Sequence, residues 1–199
     1  MNIVKSFRSS VLVLAAGMFV AAASAQTSTW KIDPAHSRIE FKVRHLGVSN
    51  VRGILSIPKA TPYFVKLDEK DITKSSVEVT IDATSVDTAE PARDTHLKSD
   101  AFFNIAKYPT ITFKSTSITK VNGKLTLTGD LTLAGVTKPV TLTLDGPAPP
   151  QTDAKGVTRS GFSAIGLLRR SDFNFAPGFP AAAVGNDVDF TIDVEMDKQ

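Results

Sequence analysis

Hydrophobic and polar side chains alternate one by one along most of this chain. Across residues 38–45, Ile39, Phe41 and Val43 are apolar while Arg38, Glu40, Lys42 and Arg44 are charged. Val77, Val79 and Ile81 alternate with Glu78, Thr80 and Asp82. Leu125, Leu127, Leu131 and Leu133 alternate with Thr126, Thr128, Asp130 and Thr132, and Val140, Leu142 and Leu144 follow with Thr141 and Thr143 between them. The last run sets Val188, Phe190, Ile192, Val194 and Met196 against Asp189, Thr191, Asp193 and Glu195. Successive side chains of a strand point to opposite faces, so this period of two predicts strands with one buried and one wet face. Strands of that kind belong to antiparallel sheets.

The turn residues agree. Asn122-Gly123 separates two alternating runs, and a two-residue hairpin of this type needs positive φ at both positions. Ala134-Gly135 predicts the next reversal, Gly53, Gly146 and Gly156 are read as further punctuation, and Pro147, Pro149 and Pro150 predict a loop leading to a strand near Arg159. Eight to ten short strands linked mainly as hairpins predict an all-β antiparallel barrel, because closure removes exposed edges. Ala89 to Phe103 lacks alternation and is expected to hold one or two short helices. Pro91 fits a first helical turn, and Asp100 is expected to cap a second helix carrying Phe102 and Phe103. A further turn is expected over Pro180 to Val184.

The first residues follow a different rule. Met1 to Ser10 carries Lys5 and Arg8 and no acid, Val11 to Ala23 is apolar, and Ala23-Ser24-Ala25 is a small-x-small triplet. This is the pattern of a cleaved export signal. The apolar run is shorter than the ~20 residues a membrane span needs. The expected organisation is a signal peptide over 1–25 and one exported domain over 26–199. Lys5 and Arg8 supply two of the 23 basic side chains, so the remainder is nearly neutral against 20 acids. A neutral domain with scattered charges lacks the basic face that nucleic acid requires.

Candidate chemistry is sparse. The sequence contains no cysteine, which removes thiol catalysis and Cys-ligated metal. His36, His45 and His96 do not have a metal-site spacing, and no metal or cofactor is expected. There is no Gly-x-Ser-x-Gly elbow. Asp33, His36 and Ser37 are triad residue types, but they are too close in sequence to act as a triad and read as a strand-entry turn bonding local backbone. Asp187, Asp189, Asp193 and Glu195 read as the solvated face of the last strand. The informative residues are the phenylalanines, twelve in all. An eight-stranded barrel is either just filled or just wide enough for one small ligand, so Phe lining its interior is at once core and pocket. The chain is therefore read as a binding protein and not as an enzyme.

Several blocks carry a family resemblance. They are Trp30-Lys31-Ile32-Asp33-Pro34-Ala35-His36-Ser37, the run from Ile39 to Ser49 with Val51-Arg52-Gly53, and Ser76 to Ile81 with Ser85-Val86-Asp87-Thr88. Arg93 to Phe103 and Tyr108 to Ser115 follow, then Leu125 to Thr132, Val136 to Val140, Arg170-Ser171-Asp172-Phe173 and Val184 to Val188. Together they cover the chain beyond the signal, which resembles the YceI-like family of lipocalin-like polyisoprenoid-binding periplasmic proteins. The resemblance implies an extended lipocalin-like barrel of about eight main strands that holds a prenyl quinone, a prenyl phosphate or a similar long-chain amphiphile. The expected ligand-binding residues are Ile39, Phe41, Val43, His36, His45, Phe102, Phe103, Phe113, Phe162, Arg170, Phe173, Phe175 and Phe190, with His36, His45 and Arg170 at the head group. Asn104, Asn174 and Asn186 depart from the usual family residues and are expected near the head group. The alternative reading is an interaction module or accessory partner of a membrane redox system, and after it a lipid-modifying hydrolase. A homodimer is compatible with either.

Overall fold

The computed structural model describes residues 27–59 and 64–199. The export signal expected over 1–25 lies outside the described residues. The described residues form eleven strands: β1 (Thr27–Ile32), β2 (Arg38–His45), β3 (Ser49–Ser56), β4 (Phe64–Asp68), β5 (Ser76–Asp87), β6 (Thr110–Val121), β7 (Lys124–Leu133), β8 (Val136–Asp145), β9 (Gln151–Thr152), β10 (Thr158–Arg169) and β11 (Val184–Lys198). One α-helix, α1 (Pro91–Lys98), and two short 3-10 turns, Ile72–Lys74 and Arg170–Phe173, complete it.

Every pairing is antiparallel, and β2, β3, β5, β6, β7, β8, β10 and β11 close into a ring. The ring has a second storey. β2 runs beside Val184–Asp193 of β11, whereas β1 pairs with Met196–Lys198 further along the same strand. β3 likewise pairs with β5 from Asp82 onward, and β4 with Ser76–Glu78. One long barrel therefore has β2 and β3 as the wall of its upper part and β1 and β4 as the wall of its lower part.

The break between β1 and β2 is the turn expected at Asp33. The Asp33 carboxylate accepts from the Ala35 N–H at 2.8 Å. Ser37 stands in for a missing backbone partner: its hydroxyl accepts from the Glu195 N–H at 3.1 Å and donates to the Glu195 carbonyl at 3.3 Å. Asn122 and Gly123 have φ of 51° and 80°, and Ala134 and Gly135 have 47° and 80°, the left-handed pair a tight hairpin needs.

Two expectations change, at Gly53 and at Asp100, and a bulge adds a feature that alternation does not show. Leu46-Gly47, with φ of 51° and 69°, makes the β2–β3 turn, while Gly53 sits inside β3. A bulge between Ser115 and Ser117 shifts the alternation of β6, so Phe113 and Ile118 both point inward despite their odd and even numbers. Only one α-helix forms in the insert. Glu90 accepts from the Ala92 N–H at its start, with Pro91 in the first turn as expected, but residues 99–103 are turns and Asp100 caps no helix.

The lower barrel is filled. Trp30, Ile32, Val65 and Met196 are each at most 2% exposed. The Trp30 indole N–H donates to the Ser28 hydroxyl at 2.8 Å, which satisfies the one polar atom of that ring.

Candidate ligand-binding cavity

The upper barrel is hollow. A cavity of about 200 Å³ runs along its axis between β2, β3, β5–β8, β10 and β11. Its wall is apolar throughout, apart from Arg170. Sites for compact drug-sized ligands run to ~300–1,000 Å³, so this bore suits a slender tail.

What keeps it open is a pairing of phenylalanine with glycine. Phe41 lies opposite Gly53, and Phe190 lies opposite Gly166. A Cβ at Gly53 would meet the Phe41 ring at 2.4 Å. One at Gly166 would meet Phe190 at 2.3 Å, and one at Gly129 would meet Phe113 at 2.4 Å. Glycine on the neighbouring strand thus lets each ring lie back against the wall, the known rescue of a strand glycine by an aromatic neighbour. The rings cover the backbone and leave the axis free.

The upper end is closed by aromatics from two loops. Phe102 and Phe103, just after α1, meet Phe175 and Phe179 from the segment before β11. Ring centroids are 4.9 Å apart for Phe103–Phe175 and 4.7 Å for Phe102–Phe179. His96 of α1 stands edge-on to Phe102 at 5.0 Å. Arg170 holds this closure in place. Its guanidinium donates to the carbonyls of Val184 (3.2 and 2.9 Å), Gly185 (3.1 Å), Phe175 (3.1 Å), Ala176 (2.8 Å) and Phe179. The residue is 6% exposed, and no carboxylate among the described residues pairs with it. A buried cation satisfied by carbonyls brings net positive charge to the mouth while spending its N–H groups on the loop.

Of the residues expected at the ligand, Ile39, Phe41, Val43, Phe102, Phe103, Phe113, Phe162, Arg170, Phe175 and Phe190 line the cavity. His36, His45 and Phe173 do not. His36 is on the outside at the β1–β2 break, 2.7 Å from Asp33 and 3.8 Å from Glu195. The Asp33 carboxylate holds the His36 imidazole above its ordinary pKa, and His36 in turn holds Asp33 below the usual carboxylate range. These three side chains could converge on a cation, but Arg159 already stands 3.3 Å from the same Glu195 oxygen. His45 is exposed at the β2–β3 tip. Phe173 is buried behind the wall, on the 3-10 turn. The three histidines therefore sit in three separate places.

The departures at Asn104 and Asn174 answer to the backbone. Both have φ of 49°, a region where Asn is among the better-tolerated residues. Asn186 accepts from the Ser171 N–H at 3.1 Å, also outside the bore. The acidic residues of β11 find partners across strands: Asp187 with Arg169, Asp189 with Lys42, Asp193 with the Ser163 hydroxyl and Glu195 with Arg159. Lining residues that alternation did not single out include Leu97 of the helix, Leu168 and Val184 near strand ends, and also Leu55, Ile57, Ile111 and Ala164.

Residues 30–196 match the family model of the YceI-like domain. The chain is 42% identical over 184 residues to Protein YceI of Escherichia coli O157:H7, covering 90% of this chain and 92% of that protein. The Campylobacter jejuni YceI structure superposes with a TM-score of 0.68 at 33% identity, over 79% of this chain and 91% of that one. A polyisoprenoid binding domain from Saccharophagus degradans shares the fold at 13% identity, with a TM-score of 0.61 over 85% of this chain and 98% of that one. The fold, the long apolar bore and these matches together show that the chain belongs to the YceI-like family.

Proposed function

We propose that this protein is a periplasmic carrier that holds a polyisoprenoid, or a similar long-chain amphiphile, with its tail in the upper barrel. The observation that carries this reading is the bore, whose apolar wall is kept back from the axis by the Phe–Gly pairs. Burying an apolar tail is worth ~0.8 kcal/mol per methylene, so a few units of tail offset much of the cost of association. The cavity follows β11 from Val184 to Val194. At ~3.3 Å per residue and a strand tilt near 40°, that stretch gives an axial length of ~25 Å. A longer prenyl chain bends within the bore or displaces the aromatic closure to protrude.

The relative named for polyisoprenoid binding supports the choice of ligand class. The buried positive charge of Arg170 favours an electron-rich head group, a carbonyl or a phosphate, near Phe175 and Val184. The ten expected residues that line the bore are proposed to touch the tail. His36, His45 and Phe173 are proposed to have no direct contact with it. Removal of residues 1–25 on export completes the reading.

The experiment is native mass spectrometry of the protein purified from its own periplasm, followed by organic extraction and lipid identification. A stoichiometric prenyl lipid is expected. A protein that stays empty after incubation with prenyl lipids contradicts the reading.

A further inference from the structure

The outer face of the barrel is polar along most strands, and its apolar exceptions gather mainly in one place. Leu46 and Val48 are 60% and 78% exposed at the β2–β3 tip, and Ile165 and Leu167 are 57% and 51% exposed on the outer face of β10. Val121 and Phe64 stand singly elsewhere. Between Asp172 and Asp187 the chain carries no charged side chain, and Pro177, Gly178, Pro180, Ala181 and Ala182 of that segment are exposed. These pieces are joined. The Leu46 N–H donates to the Ala183 carbonyl at 3.0 Å, and Leu46, Leu167, Ala181 and Ala182 line one outer groove, whose remaining lining includes the charged Lys42, Arg44, Asp187 and Asp189. Leu46 also has a φ of 51°, a conformation uncommon for any residue but glycine and asparagine. Its exposed side chain gains nothing there from burial, and the turn alone would be better served by Asn.

The barrel wall opens beside this face. β8 and β10 pair from Asp145–Ser163 to Leu142–Gly166 and then part, although β8 begins at Val136 and β10 continues to Arg169. Val140 and Leu168 face the cavity and also line the groove outside the gap, together with Leu167 and Phe173 and with the charged Lys138, Arg169 and Asp172. Phe173, 2% exposed, lies behind this seam on its 3-10 turn. A route from the bore to the surface therefore passes Val140, Leu168 and Phe173 and emerges beside Leu167.

We propose that this apolar face docks on the surface of a lipid bilayer and that the ligand passes between bilayer and bore through the β8–β10 seam. The inference rests on the reading of the bore as a lipid site. The occupant follows from continuity: the route out of the apolar bore emerges beside the exposed apolar side chains of Leu167 and Ile165, among charges that a phospholipid head-group layer accommodates. A bilayer placed there keeps a tail out of water for the whole transfer. Lys42 pairs with Asp189 at 2.6 Å and Arg169 with Asp187 at 3.8 Å, while Arg44 and Lys138 beside them have no acidic partner among the described residues. The apolar side chains carry the part of the contact that persists at high salt, and the two basic groups add a part that salt screens.

The test is flotation with vesicles of phosphatidylethanolamine and phosphatidylglycerol, comparing wild type with Leu46→Asp/Val48→Asp. Both side chains are exposed, and Asp tolerates the turn conformation. Wild type is expected to float at low and high salt, and the variant to lose about tenfold in bound fraction, since two apolar anchors are removed. Loading from detergent-dispersed prenyl alcohol is expected to be the same in both. Wild type that stays unbound, or a variant that floats equally, overturns the docking. A wild-type dimer in sedimentation velocity that the variant converts to monomer, without vesicle binding, makes a second copy the occupant and also overturns it. Wild type that floats yet takes up no dispersed prenyl alcohol leaves the docking standing and sinks the carrier reading instead. The seam is tested with Thr141→Cys/Leu167→Cys in this cysteine-free chain, since those residues would face each other if the ladder continued. Oxidation is expected to slow lipid transfer from vesicles relative to the same variant reduced. Equal rates overturn the route.

Discussion

The two halves of the barrel are built from the same alternating pattern and end in opposite states. In the lower half, Trp30, Ile32, Val65 and Met196 meet at the axis and are at most 2% exposed. In the upper half, Phe41, Phe113 and Phe190 also point inward, yet a bore of about 200 Å³ remains. Hydrophobicity does not distinguish them. The difference lies in what stands behind each large side chain. Gly53, Gly129 and Gly166 give the upper rings room to lie against the wall, whereas Val65 lies across from Trp30 and Ile32 across from Met196, side chain against side chain. A filled end supports the fold, and a hollow end is left for a ligand.

This contrast can be broken most strongly at the filled end. Trp30→Ala is expected to cost about 3–5 kcal/mol, as large core truncations do, read as a shift in the denaturation midpoint. Phe41→Ala, whose ring already faces open space, should cost clearly less in the same measurement. Equal losses would mean that the two halves are packed alike. Arg170→Met comes next, because it leaves several buried carbonyls without a donor. About 2–4 kcal/mol of stability is expected to be lost, together with increased amide exchange over Phe175–Val184.

Gly166→Val sharpens the contrast from the hollow side. The added carbons push the Phe190 ring toward the axis, and overpacking of this kind typically costs about 1–3 kcal/mol. Its larger expected effect is on ligand content. The smallest effect is expected at His36. Because its pKa is raised in the folded state by Asp33, its pairing contributes below the unfolded value of 6.5 and fades as pH rises through the folded value. His36→Gln should lower the melting temperature slightly at acid pH, leave it unchanged at alkaline pH, and not alter lipid binding. A pH-independent loss would point to a packing role instead.

Much of this was legible in the chain itself. Period two located the strands, and Asn122-Gly123 and Ala134-Gly135 located hairpins whose positive φ values the structure shares. Ten of the thirteen residues expected at the ligand line the bore. What local pattern could not show were contacts between distant strands. Gly53 reads as a turn until Phe41 is seen lying across it. His36 and His45 are expected at the head group, but a break on one side of β2 and a tip on the other place both outside the bore. Phe173 shares its sequence block with Arg170, yet a 3-10 turn carries it behind the wall. The two-storey wall was equally hidden, since it depends on β1 and β2 sharing one partner strand.

The most direct test of the account is native mass spectrometry of wild type beside Gly166→Val, both exposed to the same prenyl lipid. The account predicts one lipid bound per wild-type chain and a folded but empty variant. An empty wild type, or a variant that carries the lipid equally well, would contradict the claim that the glycine-backed half of the barrel is the binding site.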